Sequence, residues 1–378
     1  MIPYGHQLIE EDDIEAVVSV LRSDWLTQGP MVEKFEQALA EYCGARFAVV
    51  LNSGTAALQA AYFAAGLKTG DEFITSPLTF AATANAGLWQ GAKPVFVDID
   101  PTTGNINPNL IEEKITTQTR IIAPVDYSGR PADLEKIKAI AHKHNLIVVE
   151  DACQALGATY NGKKIGSISD LTVFSFHPVK TITTGEGGAV LTNDENYYKK
   201  LKIFRTHGIT KENLITQTEG DWYYEMQELG MNYRITDFQC ALGLSQLKKV
   251  DRFVSVREKI AQRYNLAFAD CQDLECPMTD SLENKSAWHL YVIKLKGKLA
   301  IKKKEVFQKL REAGIGVQVH HIPVYLHPFY QKLGYTKGLC PVAEEFYQAE
   351  ISLPVYPSLT EKDQEEVIYQ VKKIIASF

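Results

Sequence analysis

The stretch Leu146-Ile-Val-Val-Glu150-Asp151-Ala152-Cys153-Gln154 decides the reading of this chain, together with Leu171-Thr-Val-Phe-Ser175-Phe176-His177-Pro178-Val179-Lys180-Thr181-Ile182-Thr183-Thr184-Gly185-Glu186-Gly187-Gly188. Each is a short apolar run that stops on polar residues. The runs are rich in Val, Ile and Leu without polar alternation. Strands of this kind are buried on both faces, as in a parallel sheet covered by helices. The polar residues then fall at strand ends, where open α/β sheets hold their ligands.

The same pattern extends in both directions. Residues 47–51, 72–75, 94–98, 120–125 and 188–192 read as further strands, with helices over 53–66, 80–89 and 132–144. From 236 to 268 the chain reads as one long helix or two. A strand over 289–295, a helix over 302–313, a strand over 316–320 and helices over 342–349 and 360–375 follow. This predicts a large domain over residues 1–250 with a mostly parallel central sheet, and a smaller C-terminal α/β domain over 251–378.

The chain has 378 residues, so about 150 per domain agrees with two or three units. Forty Lys and Arg stand against 46 Asp and Glu, a net charge of −6, which argues against a generic nucleic-acid binder. No apolar run approaches the ~18 residues of a membrane helix, and the N-terminus does not read as a signal peptide. The six cysteines include no C-x-x-C pair, which suits reduced thiols in a cytoplasmic protein.

Four strand ends carry candidate chemistry. Asn52-Ser53-Gly54-Thr55-Ala56 opens a helix of small residues, and a helix N-terminus with hydroxyls suits an anion. A plain N-cap is the ordinary reading of the same residues. Asp151 ends an apolar strand and is either a ligand-facing acid or a cap. Lys180 lies between Val179 and Ile182 among hydroxyls, a setting for a depressed pKa and Schiff-base chemistry, although most loop lysines are simply solvated. Phe80 follows another strand end and could stack on a ring or fill the core. Together they are the parts that pyridoxal phosphate (PLP) requires: a lysine for its aldehyde, an acid for its pyridine nitrogen, and an anion site for its phosphate.

At these residues the sequence resembles the DegT/DnrJ/EryC1/StrS sugar-nucleotide aminotransferases. The motifs are Leu26-Thr27-Gln28-Gly29-Pro30, residues 52–58, Glu150-Asp151-Ala152 with Gln154, Ser175…Lys180…Gly185-Glu186-Gly187-Gly188, and Gly230-Met231-Asn232-Tyr233-Arg234. The resemblance runs over essentially the whole chain. It implies an α/β, aspartate-aminotransferase-like fold (PLP fold type I). Within the family, Asp126 (usually His), Gln318-Val319-His320 and Ile351-Ser352-Leu353-Pro354 point to enzymes of pseudaminic acid biosynthesis. These move the amino group of L-glutamate to C4 of a UDP-4-keto-6-deoxy-N-acetylhexosamine.

The resemblance also assigns residues. Lys180 falls on the Schiff-base lysine and Asp151 on the partner of the pyridine nitrogen. Gln154 falls near the 3-hydroxyl and Phe80 on the ring-stacking aromatic. Thr55, Ala56 (through its amide) and Ser175 match phosphate contacts. Asn232 matches a residue that reaches the phosphate of a neighbouring subunit, which implies a homodimer with shared sites. Tyr4, His320 and Tyr325 match sugar-nucleotide contacts, and His321 stands where an aromatic such as Tyr is expected. Three other readings compete with this one. A sugar 3-dehydratase would carry His in place of Lys180. Another 4-keto sugar nucleotide, of the aminoarabinose or perosamine type, could be the substrate. A non-catalytic sugar-nucleotide binder would not need both Lys180 and Asp151. No set of His, Cys or acidic residues has the spacing of a metal site.

Overall fold

Seven apolar runs form one sheet in the computed structural model, which describes residues 1–216 and 220–378. They are β1 (Phe47–Leu51), β2 (Glu72–Thr75), β3 (Lys93–Phe96), β4 (Thr119–Ala123), β5 (Ile147–Asp151), β8 (Leu171–Ser175) and β9 (Gly188–Thr192). The short hairpin β6 (Thr159–Tyr160) and β7 (Lys163–Lys164) lies between β5 and β8 in the chain. The order across the sheet is β1-β9-β8-β5-β4-β2-β3. Strands β3, β2, β4, β5 and β8 are parallel. Strand β9 is antiparallel to both its neighbours, so β1 points the same way as the parallel set. The carboxyl ends of six strands therefore share one edge.

The helices as far as residue 268 are α1 (Glu11–Leu21), α2 (Pro30–Cys43), α3 (Gly54–Ala64), α4 (Ala82–Trp89), α5 (Leu134–His144), α6 (Glu195–Arg205), α7 (Asp237–Leu247) and α8 (Val250–Phe268). Successive strand residues serve opposite layers, which is why the runs show no polar alternation. Val50, Ile122, Val148 and Phe174 pack towards α2, α5 and α7. Val49, Ile121, Val149 and Val173 pack towards α3, α4 and α6. Helix α3 lies close against the sheet because Ala56, Ala57, Ala60, Ala61 and Ala64 fill its buried surface, and small side chains permit close approach.

The expected helical stretch over 236–268 is two helices. Thr236 starts α7 with a capping box to Gln239, and a break at residues 248–249 precedes α8. Val250 and Phe253 join the large core, whereas Ile260, Tyr264 and Phe268 join a second core. The boundary expected at residue 250 thus falls at the start of a helix whose halves belong to different cores. The second core surrounds an antiparallel sheet of β12 (Leu274–Glu275), β13 (Tyr291–Leu295) and β14 (Glu350–Leu353). A further small hairpin, β10 (Ile209–Thr210) and β11 (Glu225–Met226), precedes it in the chain.

The strand expected over 316–320 does not form. Gly316 donates its N–H to Ile2 O at 2.6 Å, only Gln318 bridges to Ser352, and the chain then turns to bring His320 and His321 towards Tyr127 and Phe80. No helix among the described residues is long and apolar enough to cross a membrane.

Candidate active site

Strand β8 ends at Ser175, and the chain turns through residues 176–187 before β9 begins. Lys180 sits on this turn, its N–H donating to His177 O at 2.9 Å. Thr183 fixes the turn from inside. Its hydroxyl donates to Phe176 O at 3.0 Å and accepts from Gly185 N–H at 2.9 Å. Burial lowers the pKa of Lys180, while the neighbouring Cys153 and Asp151 oppose the shift. Burial also pushes the Cys153 thiol well up, so it stays neutral and Asp151 supplies the opposing charge. A lysine in this setting releases its proton more readily than one in water, which is what a nucleophilic amine and proton carrier needs.

Asp151 is the last residue of β5 and is buried. Its Oδ2 accepts from Thr83 Oγ1 at 2.6 Å and its Oδ1 from Cys153 N–H at 3.2 Å. Thr83, in the first turn of α4, also bonds Thr79 Oγ1 at 2.7 Å. The acid is therefore held in one orientation by groups from two elements. Thr83 is a site residue that the sequence reading did not single out. The spacing of Thr79 and Thr83, one helical turn apart beside Phe80, was the available signal.

The phosphate-suited cradle is the start of α3 against the end of β8. Ser53 caps the helix, its Oγ accepting from Ala56 N–H at 3.0 Å. The Ala56 amide expected to meet a phosphate thus already has a donor's partner within the chain. Thr55 is exposed at the same helix end, and Ser175 faces it from β8. A Cβ on Gly54 would lie 2.8 Å from Ser175 Cβ and 3.0 Å from its Oγ, so glycine is what lets helix and strand ends meet. Gly54→Ala is expected to destabilise the fold by about 1–3 kcal/mol through overpacking. A urea denaturation midpoint equal to that of the parent would contradict this close fit.

Phe80 is 64% exposed, and its ring centroid is 6.2 Å from that of His321. Gln154 is buried, and its Oε1 accepts from Ser128 N–H at 2.7 Å. His320 lies 5.4 Å from the Tyr4 ring, and its Nδ1 meets Ser352 Oγ at 2.8 Å. Burial, reinforced by Lys180, depresses its pKa to about 4. His321 and His289 are shifted down by burial too, with Lys180 again contributing, so all three imidazoles are held neutral. Among the described residues, buried Nε2 of His321 and Nδ1 of His289 have no hydrogen-bond partner. His289 was missed because it reads as the first residue of the apolar strand expected over 289–295, whereas β13 starts at Tyr291.

Tyr325 is placed differently from the expectation, whereas Asn232 is not. Tyr325 is fully buried against Phe96, and its hydroxyl donates to Glu344 Oε1 at 2.7 Å, so it supports the site from the core and offers no free group to a sugar. Asn232 is exposed, next to Tyr233, whose carbonyl accepts from Asn52 N–H at 3.0 Å. That location suits a residue directed outwards to a second subunit.

The residues present fit pyridoxal phosphate. An oriented carboxylate, a lysine with a lowered pKa, an exposed aromatic and a helix N-terminus meeting a serine converge on one sheet edge. No group of His, Cys and acidic residues among the described residues could hold a metal ion.

The sequence pattern of the DegT/DnrJ/EryC1/StrS aminotransferase family matches residues 7–372. A Campylobacter jejuni protein named UDP-4-amino-4,6-dideoxy-N-acetyl-beta-L-altrosamine transaminase is 44% identical over 366 residues, spanning 96% of this chain and 94% of its own. Helicobacter pylori PseC, described as an aminotransferase involved in the biosynthesis of pseudoaminic acid, matches with a TM-score of 0.94 at 38% identity, covering 100% of both chains. Spr1654 of Streptococcus pneumoniae, solved in its PLP form, matches with a TM-score of 0.93 at 31% identity, covering 100% of this chain and 99% of its own. The fold, the site and the match over nearly the full length agree: this chain belongs to the DegT/DnrJ/EryC1/StrS aminotransferase family.

Proposed function

We propose that the chain moves the amino group of L-glutamate to C4 of a UDP-4-keto-6-deoxy-N-acetylhexosamine, forming UDP-4-amino-4,6-dideoxy-N-acetyl-β-L-altrosamine. It acts with pyridoxal phosphate, as a cytoplasmic homodimer that shares its sites through Asn232. The observation that carries this reading is the 44% identity to the Campylobacter jejuni transaminase, with Lys180 and Asp151 both in place.

When bound, the cofactor supplies a carbon that takes up and hands on the amino group, and a ring that accepts the electrons of the broken Cα–H bond. Lys180 would tether it. Displaced by the incoming amine, Lys180 Nζ would take the proton from the donor's Cα and return it one position away, then run the same transfer in reverse for the sugar. Its lowered pKa favours the free amine that the first of these roles needs. Asp151, held by Thr83 and the Cys153 amide, would keep the ring nitrogen protonated. Thr55 and Ser175 would bind the phosphate. Phe80 would cover the ring face. Tyr4, His320 and His321 would face the sugar nucleotide, and their neutral rings could hydrogen-bond a hydroxyl without attracting the diphosphate out of place.

The test is to treat the yellow protein with L-glutamate until it bleaches, and then offer UDP- and dTDP-linked 4-keto sugars one at a time. Recovery of colour with the UDP-4-keto-6-deoxy-N-acetylhexosamine is expected. Recovery only with a 4-keto pentose or a dTDP-sugar would assign a different acceptor. Failure to bleach would remove the aminotransferase reading itself.

A further inference from the structure

Two carboxyl groups lie fully buried behind the site, outside the machinery described above. Glu150 precedes Asp151 on β5, so its side chain points to the opposite face of the sheet. Asp126 follows β4, just after Val125, which bridges to Asp151. The parallel register of β4 and β5 places Asp126 and Glu150 on the same face as diagonal neighbours. Each acid satisfies one oxygen with an ordinary donor. Asp126 Oδ1 accepts from Ala132 N–H at 2.9 Å, and Glu150 Oε2 accepts from Thr172 Oγ1 at 2.9 Å. Each then has one buried oxygen without a hydrogen bond to any described residue, Asp126 Oδ2 and Glu150 Oε1, and the buried Ser169 hydroxyl beside Glu150 is likewise without one.

We propose that these two orphaned oxygens satisfy one another through a single shared proton, carried by Asp126 and donated to Glu150, and that this bond positions the active site. Two ionised carboxylates could not share this site, since each would be unsolvated and would repel the other. Burial and the adjacent Glu150 push the Asp126 carboxyl well above the usual carboxylate range, and burial raises Glu150 too. The other groups facing the pair are Asp151 and Cys153 beside Asp126, Lys138 of α5 and Cys43 of α2 beside Glu150. Lys138 is the cation among them, and its ammonium bonds Ile168 O at the surface.

What the shared proton holds is the loop from Asp126 to Ala132. Ser128 on this loop donates its N–H to Gln154 Oε1, Tyr127 donates its hydroxyl to His320 O, and Gly129 O accepts from Ala287 N–H at 2.9 Å. One loop thus orients Gln154 and His320 and ties the large sheet to the segment leading into β13. Asp126 and Glu150 are positioning residues, because they touch neither the cofactor site nor the sugar side.

The sign of the pH dependence follows. In the folded state the pair keeps a proton that two separate carboxyls in the unfolded chain release near their usual values of about 4. The folded state therefore binds more protons above that pH. Stability falls as pH rises, by up to tenfold in the unfolding equilibrium constant per pH unit for this one proton. The window extends from the unfolded carboxyl range up to the raised value in the folded protein.

The experiment compares the full-length protein with Asp126→Asn and Asp126→Ala. Asparagine can accept from Ala132 and donate permanently to an ionised Glu150, so it replaces the shared proton with a fixed one. Urea unfolding from pH 5.5 to 8.5 is expected to show the parent losing stability with a slope steeper by about one proton than that of Asp126→Asn. The infrared band of a protonated carboxyl at pH 8 should shrink in Asp126→Asn. Buried Glu350, whose carboxyl burial also pushes up, should contribute equally to both. Equal slopes together with an unchanged band overturn the proposal. The effect on turnover rests on the proposed function: Asp126→Ala should lower kcat about tenfold and Asp126→Asn should restore most of it. Equal kcat in all three would confine the proton pair to stability. Slope and band need no substrate, so they stand or fall independently of the acceptor sugar.

Discussion

Lys180→Ala is expected to abolish turnover while leaving the fold intact. The residue lies on a turn between β8 and β9, and what that turn requires of it is the backbone N–H to His177 O. Alanine keeps that bond. The change removes both the tether and the group that moves the proton between two carbons. Positioned proton transfer alone is worth about 10²–10⁴-fold, so the loss should reach at least the upper end of that range. Steady-state assay with L-glutamate and the 4-keto sugar, beside a thermal unfolding curve, checks it. Parent-like turnover in a folded Lys180→Ala protein would sink the assignment of this lysine.

Asp151→Asn should be the next most damaging change. Asparagine has nearly the same shape and can still accept from Thr83, so orientation is largely kept and charge is lost. A hydrogen bond to a charged group is worth about 1.5–3 kcal/mol, which at 1.36 kcal/mol per tenfold corresponds to about 10–150-fold in rate. The loss should appear in the half-reaction with glutamate, measured by stopped-flow bleaching, because that step already needs the protonated ring. A rate within twofold of the parent would mean that the carboxylate charge does not serve the ring nitrogen.

Much of this was readable before the structure, for identifiable reasons. Runs such as Ile147–Asp151 and Leu171–Ser175 declare themselves as doubly buried strands because both faces are apolar, and their last residues then mark the ligand edge. That logic brought out Asp151, Ser175 and Lys180. Strand direction is different. Nothing local in Gly188–Thr192 shows that β9 runs against its neighbours, since direction depends on how short the returning turn is. Thr83 escaped because its bond to Asp151 joins residues 68 apart in sequence. Tyr325 was matched to a sugar contact by motif, yet Phe96 and Glu344, both distant or unremarkable in sequence, draw it into the core. Residues 316–320 have the composition of a strand, but partner strands decide whether a ladder forms, and here Ile2 and Ser352 each supply only a little of one. The carboxyl pair of Asp126 and Glu150 could not be seen at all without the register that places them side by side.

The central claim is that Lys180 is the residue to which pyridoxal phosphate is bound in this chain. Its most direct test is reduction of the yellow protein with sodium borohydride, followed by proteolysis and peptide mass spectrometry. The reduced pyridoxyl phosphate group should be found on the peptide containing Lys180, and on no other lysine. Stoichiometric labelling of a different lysine, or a cofactor that dialyses away after reduction, would contradict the account.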